Sequence, residues 1–153
     1  MEYEGVPRIK GGWRGYVSSR AVAGSMLPQR VQNLVIRTYA ERHGLSFLLS
    51  AVEYCLPDST MMLDGVLEDL EGLDGLIFYS MHQLPEDPER RRSTYDRVLG
   101  AGKGLRFALE ELAVLAPADV AAVEDIIAVR ALSERLRGAD LGSLGLSRSP
   151  EAN

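Results

Sequence analysis

The chain has 153 residues, 46% of them hydrophobic and 25% charged. That composition suits a globular protein with a real core and excludes disorder over most of the length. The formal net charge of −5 argues against a dedicated nucleic-acid binder, whose domain is ordinarily basic. No apolar run reaches the roughly 18–20 residues of a membrane helix, and the single Cys55 points to a reducing cytoplasm.

Residues 1–12 (MEYEGVPRIKGG) read as a flexible leader without the apolar stretch of a secretory signal. Residues 13–137 read as one α/β domain, and the Gly- and Ser-bearing stretch 138–153 as a disordered tail. Arg14–Ser18 is the first strand expected. Pro28 opens a helix with Val31, Leu34, Val35 and Tyr39 on one stripe and Gly44 as its stop. Leu45–Ser50 is a second, apolar strand. Asp58 or Ser59 caps a helix carrying Leu63, Val66, Leu67 and Leu70, which ends at Gly72. Leu76–Ser80 reads as a buried strand, and Asp87-Pro88 caps and opens a helix running to Gly100. Leu105–Leu109 is the fourth strand. Pro117 starts the last helix, with Gly138 at its end. Strands alternating with helical segments of this length imply parallel crossover units. The expected fold is therefore a small three-layer α/β/α sandwich on a parallel four-stranded sheet, resolvase-like or flavodoxin-like.

Charge is uneven along the chain. Residues 1–43 hold seven Arg/Lys against three acids, 44–88 hold nine acids and no Arg/Lys, and 89–153 balance at ten each. The basic first third reads either as a face for an anionic ligand or as solvated surface.

In an open parallel sheet, ligands collect beyond the carboxyl ends of the strands. That rule gathers Ser18, Ser19 and Arg20 after the first strand and Glu53 and Tyr54 after the second. It adds Ser80, His82 and Gln83 after the third, and Glu110 with Glu111 after the fourth. Gln29, Gln32 and Asn33 on the first helical turns can reach a ligand lying over the sheet edge. Ser18-Ser19-Arg20 reads as a nucleophile or hydrogen-bonding pair plus an anion clamp, or as a loop capping its own backbone. Ser18, Glu53 and His82 are the candidates for catalysis. The other nine, Ser19, Arg20, Gln29, Gln32, Asn33, Tyr54, Ser80, Gln83 and Glu110, are candidates for substrate binding. A carboxylate sheltered under a loop rises toward neutrality, so Glu53 is the expected proton carrier. Arg90-Arg91-Arg92 reads as a solvated helix face, with anion binding as the alternative. GAGKG at 100–104 joins a helix to a strand, so it is no phosphate loop. Two distant histidines and one cysteine give no zinc spacing, and neither metal nor cofactor is expected.

The stretches GYVSSR (15–20), PQRVQNLVIRTYAERHGL (28–45), SAVEYCLP (50–57), LDGLIFYSMHQLPED (73–87), RRSTYDRVL (91–99) and VEDIIAVR (123–130) resemble the sporadic carbohydrate cluster family. That family is found among genes for surface or secondary-metabolite sugars. The layout is also similar to the catalytic domain of serine recombinases. Those domains have a first strand ending in an Arg/Ser motif, a Gln-bearing first helix, and a third strand entering an Asp-Arg-Leu-Gly-Arg loop. Here that loop is His82-Gln83-Leu84-Pro85-Glu86, so Gln83 and Glu86 stand where that family has phosphate-clamping arginines. This second resemblance implies sheet order 2-1-3-4 and, without the clamp, no DNA cleavage.

The first resemblance and the strand-end residues together give the expected function: carbohydrate or nucleotide-sugar biosynthesis by an acid/base isomerase, epimerase or lyase. Its ligand is a sugar or sugar phosphate, with no nucleic acid and no membrane as partner. Two alternatives are a non-catalytic partner of a sugar enzyme and a degenerate serine-recombinase-like DNA-binding domain. The last helix (118–136) carries apolar residues around more of its circumference than one sheet face needs. A homodimer is the expectation drawn from it, beside a wider intramolecular stripe.

Overall fold

The structure is a computed structural model that describes residues 11–56 and 58–143. Five strands form one sheet: β1 (Trp13–Ser18), β2 (Phe47–Glu53), β3 (Gly75–Phe78), β4 (Gly104–Phe107) and β5 (Leu112–Val114). The helices are α1 (Gln29–Arg42), α2 (Met61–Glu68), α3 (Pro88–Gly100) and α4 (Val120–Ser143). Sheet order is β2-β1-β3-β4-β5. The first four strands pair in parallel, and β5 lies antiparallel to β4.

The four-stranded expectation thus misses one edge strand. Glu111 adopts φ +57°, a left-handed conformation that turns the chain back on itself. Arg42 and His43 at the end of α1 pair with its carboxylate. Three residues then suffice to add β5, too short a run to show a period-2 pattern.

Side chains on β1 alternate between the two sheet faces, as the pleat requires. Trp13 and Val17 join Ile77 in a cluster with Ile36, Tyr39 and Ala40 of α1. On the opposite side Tyr16 stacks on Phe78 at 4.6 Å, and Phe78 meets Phe107 edge-on at 5.8 Å. Strand β2 starts two residues later than expected and runs on to Glu53, which pairs in register with Ser18. The polar ends of β1 and β2 are thereby brought level.

The α/β unit ends at Val120, and a second compact unit begins at Ala121. Among the described residues that second unit consists of α4. The helix runs through Gly138 to Ser143, so Gly138 does not stop it. A single glycine costs about 1 kcal/mol in a helix interior, too little to break one flanked by Leu136, Arg137 and Ala139. The expected leader falls outside the described residues up to residue 10, and the expected tail does so from residue 144. No helix among the described residues is long and apolar enough to cross a membrane.

Candidate functional site

Where β1 leaves the sheet, the Ser18 backbone needs partners that the ladder no longer supplies. Gln32 provides both. It is fully buried on α1, its Oε1 accepts from Ser18 N at 3.1 Å, and its Nε2 donates to Ser18 O at 2.7 Å. A carboxamide is the side chain that can donate and accept at once. Gln83 extends the network: its Nε2 donates to Gln32 Oε1 at 2.9 Å and to Ser18 Oγ at 3.4 Å. Its own Oε1 accepts from Ser80 N at 3.2 Å.

The loop after β3 is therefore tied to the end of β1, and two more groups hold it. Glu110 accepts from Ser80 Oγ at 2.5 Å and from Met81 N at 3.1 Å. Arg91, which is buried, donates to the carbonyls of Pro85 and Glu86 at 3.2 and 2.7 Å. Arg91 is thus no part of a solvated face; its neighbour Arg90 is exposed.

Between these loops lies a cleft of about 590 Å³. Its lining includes Ser18, Arg20, His82 and Gln83, joined by Asp58, Thr60, Glu86, Asp87 and Arg90. Two guanidinium groups and three carboxylates share the walls. Among the described residues no group of three or more His, Cys, Asp or Glu is placed to hold a metal ion. Three of the four residues expected to converge from separate strand ends, Ser18, Arg20 and Gln83, are in this lining, and Glu53 is not.

Glu53 is almost wholly buried and is spent on architecture. It accepts from Tyr16 Oη at 2.8 Å, Ser59 Oγ at 2.9 Å, and the N–H groups of Leu63, Tyr54 and Met62 at 3.1, 3.1 and 3.2 Å. Burial pushes its carboxyl up, but the hydrogen bonds from Tyr16, Leu63, Met62 and Ser59 outweigh that, and the pKa falls below 4.5. The expected upward shift is reversed, because the Tyr16 hydroxyl and then the first-turn N–H groups of α2 favour the anion. A carboxylate held this way is a poor proton carrier. Tyr16 moves the other way, raised by burial and by the Glu53 charge.

The remaining candidates are dispersed. Ser19 accepts from Gln29 Nε2 at 2.7 Å, and neither residue lines the cleft. Asn33 is turned toward β2, where it accepts from Ser50 Oγ at 2.5 Å. Ser80 and Glu110 brace the β3 loop and do not line the cleft, and Tyr54 stands exposed on the loop after β2. Sequence reasoning did not assign Asp58, Thr60 or Asp87 to the site, met Glu86 only through the recombinase resemblance, and gave Arg90 an anion-binding role only as an alternative. Asp58 and Asp87 read as helix caps, and Arg90 as one of three like charges. The signal available for Arg90 was its place in the first turn of a helix that follows a strand-end loop.

No protein-family model matches the chain, and no curated protein matches it. Among solved structures, it is similar to a resolvase family site-specific recombinase from Streptococcus pneumoniae. The TM-score is 0.56 at 10% identity, over 90% of this chain and 99% of that one. It is also similar to the N-terminal catalytic domain of TP901-1 integrase. There the TM-score is 0.51 at 14% identity, over 80% of this chain and 98% of that one. The chain has a resolvase-like α/β fold. The resemblance to the sporadic carbohydrate cluster family finds no family match. The expected sugar-biosynthesis isomerase, epimerase or lyase, its sugar-phosphate ligand and the exclusion of nucleic acid are all corrected by these recombinase and integrase neighbours.

Proposed function

We propose that the chain is a serine-recombinase-type domain that binds the DNA backbone in the cleft beside β1 and does not cut it. The observation that carries this reading is the meeting of Ser18 and Arg20, at the end of a central strand, with Arg90 across an open cleft on a recombinase fold. The planar guanidinium forks of Arg20 and Arg90 suit phosphodiester oxygens. Ser18 Oγ accepts from Gln83, which leaves its own O–H to donate to a phosphate oxygen. The reading keeps the three-layer arrangement of helices and sheet and a cytoplasmic location.

Cleavage is a different demand. Attack by a serine on phosphorus builds negative charge that needs preorganised cationic donors. Here Gln83 is neutral, and Asp58, Glu86 and Asp87 are acidic. These groups oppose the charge that the reaction would create, so Ser18 acts as a hydrogen-bond donor and not as a nucleophile.

The test is fluorescence anisotropy with a labelled DNA oligonucleotide, as duplex and as single strand, at low salt. Binding of at least one form is expected, weakened roughly tenfold by Arg20→Ala or Arg90→Ala, as for loss of one charge-assisted pair. Supercoiled plasmid should stay uncut. Absence of binding, or binding indifferent to both arginines, would overturn the DNA reading, and nicked plasmid would overturn its non-cleaving half.

A further inference from the structure

We propose that the chain has a second binding site, for an apolar α-amino acid, between β1 and α2. No residue lines both this site and the cleft described above. The second cavity has a volume of about 180 Å³, and its lining includes four apolar side chains, Met61, Met62, Val66 and Leu73, and two charged ones, Arg14 and Asp69. An apolar cavity of about 150 Å³ holds a benzene ring, so the size suits one small molecule.

Three features point to a ligand. Arg14 lies in register with Leu48 of β2 and Leu76 of β3, on the same sheet face as Tyr16. Its Nε is buried without a hydrogen-bond partner, a cost that folded proteins ordinarily avoid. Asp69 does not relieve it: among the described residues no ion pair joins the two. The register of β1 against β2 also shifts between Arg14 and Tyr16, and irregularities of this kind re-aim side chains beside sites. Gly65 is the third feature. It lines the same cavity from within a short helix, where glycine is disfavoured. A Cβ built there meets nothing within 4 Å, so the missing side chain leaves open space.

The charges choose the ligand class. One guanidinium and one carboxylate in a single lining, not paired with each other, match the two head groups of a zwitterion. Its carboxylate takes the Arg14 fork, and its ammonium takes Asp69. A simple acid would set its charge against Asp69 with nothing in return, and a simple amine would do the same to Arg14. The four apolar side chains then cover an apolar amino-acid side chain, and the two methionines adapt to its shape.

The experiment is calorimetric titration of the full chain with free leucine, free methionine, isocaproate (leucine without its ammonium) and isoamylamine (leucine without its carboxylate). At least one of the two amino acids should bind with a Kd of about 0.1–1 mM, and each single-charge analogue at least about tenfold more weakly. Asp69→Asn changes an exposed position, and Gly65→Leu puts a better helix former into open space, so both variants should keep or raise the urea midpoint. Each should nevertheless weaken amino-acid binding roughly tenfold or more, as should Arg14→Met. Absence of saturable binding by both amino acids would overturn the proposal. Isocaproate or isoamylamine binding as tightly as leucine would overturn it too, as would amino-acid binding that survives Gly65→Leu and Arg14→Met.

Discussion

Glu53 shows how one side chain's surroundings decide its role. At the end of an apolar strand, it looks in sequence like any carboxylate beside a strand-end pocket, and nothing local tells which way its pKa moves. The decision lies with the Tyr16 hydroxyl on the neighbouring strand and with the first turn of α2, whose N–H groups at Met62 and Leu63 point at it from about ten residues away in the chain. Removing the charge should therefore cost stability. Glu53→Gln is expected to lower unfolding stability by about 2–3 kcal/mol at pH 7, the range for hydrogen bonds to a buried charged group, read from urea midpoints. The pH dependence has a definite sign. The folded pKa lies below 4.5, so the Glu53 contribution is fully present above the unfolded-state value. It is lost as pH falls through the lower folded one. The stability gap between wild type and Glu53→Gln should shrink only in that acidic window. A gap that is constant from pH 7 to pH 3 would contradict the assignment.

Elements were legible where their signals are local. Proline and glycine punctuation and the 3.6-residue stripes mark α1, α2 and α3, and the apolar runs mark the four parallel strands. Strand β5 escaped because its three residues carry no period and depend on Glu111 holding a left-handed turn. Helix α4 outran its expected stop because one glycine is a weak breaker. The close approach of β3 and β4 was equally hidden: a Cβ built at Gly75 would collide with the Gly104 carbonyl oxygen and the Trp13 ring. Gly75→Ala should cost about 3 kcal/mol or more, as overpacking against backbone does, whereas Gly72→Ala, with open space around it, should be close to neutral. A similar urea midpoint for the two variants would contradict the packing described here. The Gln32–Gln83 network is the element-scale device of the site. Gln32→Leu strips Ser18 of both backbone partners and should cost about 2–4 kcal/mol through orphaned polar groups. Urea unfolding would measure it, and an unchanged midpoint would show that the carboxamide bridge is dispensable.

At the scale of the whole molecule, net charge and the residues of one cleft carry different information. A total of −5 says that the long-range field opposes approach to DNA, but it does not say what two arginines do inside a cleft. The convergence of Ser18, Arg20 and Gln83 from two separate loops followed from strand order alone. The carboxylates that set the cleft's limits came from loop and cap positions with no pattern of their own. Reversing one of them should expose the balance: Glu86→Arg is expected to tighten DNA binding about five- to tenfold, and a weaker complex would speak against this cleft as the binding track. The central claim, that Arg20 and Arg90 hold DNA phosphates, is tested most directly by the salt dependence of DNA affinity. Two phosphate contacts predict a log–log slope of about −1.4 for a single strand and −1.8 for a duplex, reduced by about half when either arginine becomes alanine. A slope near zero, or one that neither substitution changes, would contradict the account.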